Sequence, residues 1–412
     1  MAPSAAINLQ RLRKLLQEVN LHGFNPQTGG HNRPGYSDAD MAARRWFAEQ
    51  MRGDGLAVRS DAVANLFGRY GRDRGPCIMA GSHLDTVPEG GAFDGALGAC
   101  VALECVRTMR DIGFVPSAAI EVVATAEEEG RFGGMLGSQA IAGAVTERWL
   151  ESARDADGIR LQDAMREQGL DAFGAIEAAR APGSVRAFLE LHVEQGPVLE
   201  QAQIPVGIVE HIAGVINLAV TLTGRANHSG TTPMELRADA FAGLARVGQE
   251  IGKVIAAHGS KSSRITIGKV DLHPNFIHTV PGRAEFIINI RDTDAQTMRA
   301  LAKGMTRAVE DAAKESGLTW EVVQQSLMEP IRLDADIARL LEEEAARLSL
   351  PALRMPSGAG HDAQTMQSLC PSGLIFVPSR DGISHAPQEW TDWDAIEKGA
   401  NLMLRALMRL SG

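Results

Sequence analysis

The sequence predicts an α/β protein in which a smaller ferredoxin-like (βαββαβ) domain is inserted into a domain built on a mainly parallel sheet. Near-continuous apolar segments alternate with helix-periodic segments up to about residue 210, which is typical of parallel strands covered by helices on both faces. After Glu210 the order of elements becomes β-α-β-β-α-β, the split arrangement of ferredoxin-like domains. A length of 412 residues also favours two domains over one core.

The large domain begins with helical patterns at both ends of residues 8–53, around a loop rich in Gly, Pro and Asn. Apolar runs predict its first strands, at 76–82, 119–125 and 187–192. Helical periodicity predicts the helices between them, at 96–109 and 137–154.

The inserted domain has its own alternation of patterns. Its predicted strands are 216–223, 265–272, 284–291 and 318–325, and its predicted helices are 235–258 and 295–316. After Pro330 the first pattern returns, with a helix at 335–348, a strand at 373–377 and a helix at 393–409. We therefore assign 1–212 and 330–412 to the large domain and 213–329 to the inserted domain, with hinges near 210–214 and 326–331.

Charge and composition exclude several classes of function. The formal net charge is -10 and no basic stripe is present, so neither nucleic acid nor an anionic membrane is an expected partner. No apolar stretch approaches the roughly 18 residues that a membrane helix needs. The N-terminus lacks the apolar core of a signal peptide, and the four cysteines have no metal or redox spacing, so we expect a cytoplasmic protein with reduced thiols.

Residues that bind metals follow several predicted strands. They are His83 with Asp94, the acidic run Glu127-Glu128-Glu129, His192, and His385. Because the carboxyl ends of parallel strands meet at one edge of a sheet, we expect these side chains to converge. Histidine and carboxylate without cysteine suit Zn²⁺, Mn²⁺ or Co²⁺. Three histidines with a bridging carboxylate can serve two metals about 3.5–4 Å apart, and an adjacent glutamate can take a proton from water.

Together with longer motifs, these residues resemble the M20 metallopeptidase superfamily over nearly the whole chain, and within it the hydantoinase/carbamoylase amidases. The motifs are His83-x-Asp85 with Asp94, Glu127-Glu128-x-x-Arg131-Phe132, His192-x-Glu194-Gln195-Gly196-Pro197, Gly224-x-Ala226-Asn227-His228-Ser229-Gly230-Thr231-Thr232-Pro233 and Ser357-Gly358-Ala359-Gly360-His361-Asp362-Ala363. This branch contains N-carbamoyl-L-amino acid hydrolases, allantoate amidohydrolases, ureidoglycolate hydrolases and β-ureidopropionases.

The resemblance implies two divalent metal ions per subunit, Zn²⁺ with Mn²⁺ or Co²⁺ as alternatives. One ion would take His83, Asp94 and His192, and the other would take Asp94, Glu128 and His385, so that Asp94 bridges.

It also implies that Glu127 is the general base and that Asp85 orients His83 through its far ring nitrogen. This assignment identifies the two glutamates as Glu127 and Glu128 from their spacing in the sequence to Arg131-Phe132. In much of the superfamily a glycine directly follows the glutamate that binds the metal. By that criterion the pair is Glu128 and Glu129 instead.

The inserted domain would then be a lid and a dimerisation surface of a homodimer. His228 would stabilise the oxyanion, in cis or in trans from the partner subunit. Arg291 would clamp the carboxylate of a small-molecule substrate. His278 stands where the family commonly has asparagine, so the substrate-binding pattern departs from the family at that position.

Three further residues of the large domain would contact the substrate. Gln195 would bind its ureido end, and Gly358 and Gly360 would bring backbone groups close to it, while His361 and Asp362 order that loop.

The sequence therefore predicts a binuclear metal amidohydrolase that cleaves a linear amide C–N bond of an N-carbamoyl or ureido amino acid, such as an N-carbamoyl-L-amino acid or an allantoate-like substrate. One alternative is an N-acyl amino acid hydrolase (aminoacylase) or dipeptidase of the wider superfamily. The other is a metal-free binding or scaffold homologue, for which loss of ligands would be the mark. The exact substrate and the physiological metal stay open.

Overall fold

The computed structural model describes residues 5–412, which form two compact units. The first unit contains the chain up to Glu210 with Leu333–Met355 and Gly360–Gly412, and the second contains His211–Arg332 with Pro356–Ala359. Among the described residues, no helix combines the length and apolar character that crossing a membrane requires.

The helices are distributed over both units, with α9 and α10 in the second. In chain order they are α1 (Leu9–Val19), α2 (Asp38–Gly53), α3 (Ala96–Asp111), α4 (Leu136–Ala142), α5 (Glu147–Ser152), α6 (Leu161–Glu167), α7 (Gly174–Glu177), α8 (Val198–Ala202), α9 (Ala240–His258), α10 (Ala295–Glu315), α11 (Ala335–Arg347), α12 (Asp362–Met366) and α13 (Trp393–Ser411).

The strands form one sheet in each unit and a short two-stranded ribbon. In chain order they are β1 (Ala57–Ser60), β2 (Leu66–Tyr70), β3 (Cys77–His83), β4 (Ala119–Thr125), β5 (Val185–Val193), β6 (Val206–Ile212), β7 (Gly214–Thr223), β8 (Asn227–His228), β9 (Arg264–His273), β10 (Thr279–Val280), β11 (Arg283–Asp292), β12 (Thr319–Met328), β13 (Ile331–Arg332), β14 (Ala352–Ser357) and β15 (Ser372–Val377).

The sheet of the first unit runs in the order β1-β2-β4-β3-β5-β15-β6. Its centre is parallel, because β3 pairs in parallel with β4 and β5, and β15 pairs in parallel with β5. Every residue of β3, β4 and β15 is buried, as expected for strands covered on both faces. The predicted α/β fold with a mainly parallel sheet is confirmed.

Helix α3 packs directly on this central sheet. A Cβ added to Gly98 of α3 would lie 2.3 Å from the carbonyl oxygen of Leu191 in β5 and 2.8 Å from Cβ of Ser82 in β3. Glycine at this position therefore lets the helix backbone approach the two strands that carry His83 and His192.

The second unit has a four-stranded antiparallel sheet in the order β12-β7-β11-β9. Apolar side chains of α9 and α10 share one core with the buried residues of these strands. The chain order β7-α9-β9-β11-α10-β12 is the βαββαβ order read from the sequence, with the ribbon of β8 and β10 added between its elements.

Several local expectations differ from the structure. The helix expected at 137–154 is divided into α4 and α5, because Gly143 takes a left-handed conformation (φ 72°) that ends α4. The helix expected from residue 235 begins at Ala240, where the Asp239 side chain accepts hydrogen bonds from the backbone N–H groups of Phe241 and Ala242.

The short segment Pro356–Ala359 groups with the second unit, although the sequence division places it in the large domain. Two hydrogen bonds account for this grouping. The backbone N–H of Ala213 donates to the carbonyl oxygen of Ser357 (2.9 Å), and the Arg291 guanidinium donates to that of Gly358 (2.6 Å).

Candidate metal centre

The metal-type side chains of the first unit meet at one edge of its sheet. In the parallel registers, His83 at the end of β3 lies opposite Thr125 at the end of β4, and His192 of β5 lies opposite Phe376 of β15. The acidic run follows β4 directly, and His385 lies in the loop after β15. The strand ends therefore bring together segments that are far apart in the sequence.

Asp94 lies at the middle of this group and is 4% exposed. Its Oδ1 is 3.0 Å from Nε2 of His192 and 3.7 Å from Nε2 of His83. Its Oδ2 is 3.1 Å from Nε2 of His385. Two histidines thus face one oxygen and a third faces the other, which is the arrangement expected of a carboxylate that bridges two cations.

The glutamate beside Asp94 and His385 is one position later in the sequence than the expected Glu128. Oε2 of Glu129 lies 3.5 Å from Nε2 of His385, and the ligand atoms of Asp94, Glu129 and His385 all lie within 4.8 Å of one another. The structure therefore places Glu129, and not the expected Glu128, beside the second oxygen of Asp94.

The contacts of Glu128 and Glu127 also differ from those expected. Oε2 of Glu128 is 3.5 Å from Nε2 of His83, whereas Oε1 of Glu127 accepts a hydrogen bond from the backbone N–H of Phe132 (2.6 Å). Glu127 has a left-handed backbone (φ 54°) and packs against Gly35, where an added Cβ would lie 2.6 Å from its Cγ. Of the two registers that the sequence leaves open, these positions match the Glu128/Glu129 pair, which a glycine directly after the ligand indicates.

Hydrogen bonds to the backbone orient the two buried histidines. Nδ1 of His83 lies 3.0 Å from the carbonyl oxygen of Asp85, and Nδ1 of His192 lies 2.8 Å from that of Val193. Because a carbonyl oxygen only accepts, Nδ1 carries a proton in both rings, and Nε2 of each ring faces Asp94.

The expected role of the Asp85 side chain is corrected by this geometry. Its carboxylate is 3.9 Å from Nδ1 of His83, so the main chain of Asp85 holds the ring. The carboxylate instead accepts a hydrogen bond from the backbone N–H of Glu129 (3.1 Å).

Glu128 and Glu129 are not fully balanced by positive charge, as the direction of their pKa shifts indicates. Burial, followed by repulsion from Glu129, raises the pKa of Glu128 well above its usual value. Burial and repulsion from Asp94 do the same to the pKa of Glu129. Burial also tends to raise the pKa of Asp94, but hydrogen bonds to His192 and His385 outweigh it and hold this pKa well below the usual value.

Several buried carboxylate oxygens also lack a hydrogen-bond partner among the described residues. They are Oδ1 of Asp85, Oε2 of Glu127, Oε1 of Glu129 and Oδ1 of Asp362. Of these residues, Glu129 is grouped with Asp94 and His385 as a possible metal ligand. A divalent cation there would supply positive charge and a partner for Glu129, so the residues present fit a metal centre. The donor set of histidines and carboxylates suits Zn²⁺, Mn²⁺ or Co²⁺.

Comparisons with known proteins agree with this site. Residues 79–409 match the model of peptidase family M20/M25/M40. The chain belongs to this family. It is 39% identical over 409 residues to an N-carbamoyl-L-amino acid amidohydrolase of Geobacillus stearothermophilus (98% of each chain), and 34% identical over 387 residues to an allantoate amidohydrolase of Bacillus subtilis (93% of each).

Among solved structures, an amidase of the hydantoinase/carbamoylase family from Burkholderia multivorans superposes with a TM-score of 0.89 at 33% identity, covering 99% of each chain. The expected resemblance to the amidase branch of the M20 superfamily is confirmed. The chain is therefore an enzyme, a hydrolase of carbon–nitrogen bonds, and the alternative of a non-catalytic scaffold is not supported.

Gln195 lies among the candidate metal ligands of this M20 enzyme. Its Nε2 is 2.9 Å from Oδ2 of Asp94, 3.3 Å from Oγ of Ser384 and 3.2 Å from Nε2 of His385. The side-chain amide that was expected to bind substrate is thus placed next to Asp94 and His385.

Sequence reasoning missed Glu389, which connects two parts of the centre. Its Oε1 accepts hydrogen bonds from the backbone N–H groups of Phe93 and Asp94, and its Oε2 accepts one from Oγ of Ser384. Its position four residues after His385, in the same loop, was the only signal in the sequence.

A second group of ligand-type residues lies next to His192. Glu190, His192 and His361 have ligand atoms within 4.8 Å of one another, and the rings of the two histidines are 4.5 Å apart. Glu190 accepts hydrogen bonds from Oγ of Ser82 and the backbone N–H of Ala363. Burial lowers the pKa of His361 well below its usual value, so this ring is neutral.

The other expected substrate residue of the first unit is Gly360. A Cβ there would lie 2.3 Å from Cε of Met135, which shows a close approach at this glycine. A cavity of about 470 Å³ borders Glu129 and is also lined by Thr86, Val87 and Arg131, so there is room for a small molecule beside the acidic run.

In the second unit, His228 and His278 lie on the β8–β10 ribbon and the segment that leads into it. The backbone N–H of Ser229 donates to the carbonyl oxygen of His278 (3.0 Å). Nδ1 of His228 accepts a hydrogen bond from the backbone N–H of Gly230 (3.0 Å), so the proton of a neutral His228 ring is on Nε2.

Arg291 and Gly358 also meet within the second unit. The Arg291 guanidinium donates to the carbonyl oxygen of Gly358 through Nη1 and to Oδ1 of Asn289 (3.1 Å) through Nε. Asn289 in turn donates to Oδ1 of Asn217 (2.8 Å), so the guanidinium is held at both ends.

The corrected glutamate register predicts opposite effects for two matched substitutions. Glu129→Gln should lower the zinc content after loading from about two ions per chain to about one, because it removes a charged ligand from one side of Asp94. Glu127→Gln should retain about two, since burial raises the pKa of Glu127 to about 8 and a neutral amide resembles its protonated form. Elemental analysis of the loaded, gel-filtered proteins measures both. Two ions retained in Glu129→Gln, with one ion lost in Glu128→Gln, would restore the Glu127/Glu128 pair.

Proposed function

We propose that this enzyme is a binuclear metal-dependent amidohydrolase that cleaves the linear amide C–N bond of an N-carbamoyl or ureido amino acid. The arrangement around Asp94, with a histidine at each carboxylate oxygen and two glutamates alongside, is the observation that carries the proposal. Relatives named N-carbamoyl-L-amino acid amidohydrolase at 39% and 38% identity support the N-carbamoyl-L-amino acids as substrates.

In this proposal His83, Asp94 and His192 hold one divalent ion, and Asp94, Glu129 and His385 hold the other. The ions are Zn²⁺, with Mn²⁺ or Co²⁺ as alternatives. Two such ions act as Lewis acids and lower the pKa of the attacking water to about 7.

Glu128 moves the proton. Its Oε2 lies 3.5 Å from Nε2 of His83 and its side chain is 9% exposed, which places a carboxylate beside the ligands, where a general base is needed. As the water oxygen bonds to the carbonyl carbon, Glu128 takes the water proton. It then delivers this proton to the nitrogen of the breaking C–N bond. A carbamoyl substrate yields the amino acid and a carbamate, which decomposes to CO₂ and ammonia.

His228 stabilises the developing oxyanion. Because its Nδ1 accepts from Gly230, its Nε2–H is free to donate to a negatively charged oxygen. The proposal places this donor in the site of the partner subunit of a homodimer formed by the second unit. Large exposed apolar side chains near the ribbon support such an interface, namely Met234 (74% exposed), Phe276 (61%) and Ile277 (84%).

Arg291 binds the substrate carboxylate. Asn289 and the Gly358 carbonyl hold its guanidinium at a fixed place on the sheet, which is suited to recognising a planar anion. Allantoate and ureidoglycolate also carry carboxylates, and relatives named for these activities at 34% and 30% identity make them the second candidate substrates.

A substrate panel tests the reaction class. With Zn²⁺, Mn²⁺ or Co²⁺, we expect the highest kcat/KM for N-carbamoyl-L-amino acids, compared with β-ureidopropionate, allantoate, ureidoglycolate and N-acetyl amino acids. The amide of an N-carbamoyl amino acid, which lacks the carboxylate, should show a higher KM if Arg291 binds that group. Highest kcat/KM for N-acetyl amino acids or dipeptides would favour the aminoacylase alternative, and hydrolysis of none would contradict the proposal.

Substitution of the proposed base separates chemistry from metal binding. Glu128→Gln should keep the metal content and lower kcat by about 10²–10⁴-fold, the usual contribution of a general base. Glu127→Gln should keep most of the activity. Rate assays with elemental analysis check both, and an active Glu128→Gln enzyme would exclude Glu128 as the base.

Mixed dimers test the origin of His228. Co-expressed Glu128→Gln and His228→Ala chains should recover about a quarter of wild-type activity if His228 acts across the dimer, because half of the dimers then contain one complete site. Each variant alone should be nearly inactive. No recovery in isolated heterodimers would show that His228 serves its own chain.

A further inference from the structure

Arg44 of α2 is buried against the ends of the strands that carry the metal-type residues. Its side chain is 2% exposed. Nη1 donates to the carbonyl oxygens of Ala64 and Ala124 (3.2 Å each), and Nη2 donates to that of Thr125 (2.7 Å). Its Nε donates to Oδ1 of Asp40 (2.9 Å), which is also buried. These partners satisfy a cation that would otherwise be costly to bury.

The same guanidinium contacts both ligand-bearing segments. Ala124 and Thr125 end β4 and lead directly into the acidic run. On the other side, Nη2 of Arg44 is 3.6 Å from Oδ1 of Asp85, in the segment that follows His83. Arg44 therefore connects the end of β4 with the loop after β3.

Asp85 carries this connection to the ligands themselves. Its carboxylate accepts from the backbone N–H of Glu129 (3.1 Å), and its carbonyl oxygen lies 3.0 Å from Nδ1 of His83. A displacement of Asp85 would thus move the ligand residues on both sides of Asp94.

Arg33 is a second buried arginine next to the loop after β3, but among the described residues it makes no hydrogen bond to the end of β4. Arg33 is fully buried as well, but its hydrogen bonds go to neutral oxygens, the carbonyl groups of Leu84 and His22 and Oδ1 of Asn20. Arg44 differs because it forms direct ion pairs with Asp40 (2.9 Å) and Asp85 (3.6 Å) and also donates to the carbonyl oxygens at the end of β4.

We propose that Arg44 is a positioning residue for the metal centre, which fixes the end of β4 and Asp85 so that Glu129 and His83 keep their places around Asp94. This inference rests on the proposed function, since it concerns the affinity of the same site for metal. Arg44 acts through Asp85 and the β4 backbone and has no role in the chemical steps.

The sign of the effect distinguishes positioning from electrostatics. Removing a positive charge beside Asp85 makes the site more negative, so Coulomb interactions alone predict tighter binding of a divalent cation. Loss of positioning predicts weaker binding. Residues that orient metal ligands typically change metal affinity by about 10–100-fold when substituted.

The test is the zinc affinity of Arg44→Met and Arg44→Lys, measured by competition with a chromophoric chelator on protein whose circular dichroism matches the wild type. We expect Arg44→Met to bind zinc about 10–100-fold more weakly, and Arg44→Lys to lie in between because it keeps the charge but loses the fork of hydrogen bonds. Unchanged or tighter binding by folded Arg44→Met would overturn the inference.

Glu104→Gln is the matched control. Glu104 is fully buried in the same unit and forms an ion pair with Arg11 (2.7 Å). This variant should lower the thermal unfolding midpoint and leave the zinc affinity unchanged, since the pair lies outside the centre. An equal loss of zinc affinity in Glu104→Gln would show that the Arg44 effect is general destabilisation, and would also overturn the inference.

A double-mutant cycle covers the case in which Arg44→Met does not fold. Arg44→Lys and Asp85→Asn should be non-additive in zinc affinity, because Arg44 acts through Asp85, whereas additive effects would contradict the mechanism. A wild-type protein that binds no divalent metal would refute the proposed function itself. A wild type that binds metal together with unaffected Arg44 variants would refute only the positioning role.

Discussion

The concentration of carboxylate charge at the carboxyl edge of the parallel sheet is the constraint on which the rest of the site depends. Asp94, Glu128 and Glu129 are enclosed together, and burial and mutual repulsion raise the pKa values of both glutamates. Three histidines are directed at Asp94, yet they do not compensate all of this charge. Such a group is stable only with protons or cations present, and the ligand geometry favours divalent cations.

The surrounding structure holds these groups in place from several sides. Backbone carbonyls orient the rings of His83 and His192, and Glu389 joins the Asp94 loop to the loop that carries His385. On the opposite side, Asp85 holds the backbone of Glu129. His83 and His192 therefore lie at strand ends, whereas Asp94, Glu129 and His385 lie on loops that hydrogen bonds hold in place. This agrees with the expectation that precise sites need support beyond the ligands themselves.

The histidines and Asp94 could be identified from the sequence because strand ends of a parallel sheet converge whatever the detail of each loop. The glutamate pair could not, since three consecutive acids look alike and the left-handed backbone at Glu127 decides which of them faces Asp94. Strands β1 and β2 were missed because β1 is short and largely exposed and gives no apolar run. The division of 137–154 into two helices depended on the conformation of one residue, Gly143.

Anomalous diffraction from crystals of the zinc-loaded protein, recorded at the zinc absorption edge, tests the central claim most directly. Two peaks about 3.5–4 Å apart on either side of the Asp94 carboxylate are expected. One should lie near His83 and His192 and the other near Glu129 and His385. The absence of any peak at Asp94, or a second peak bound by Glu128 in place of Glu129, would contradict it.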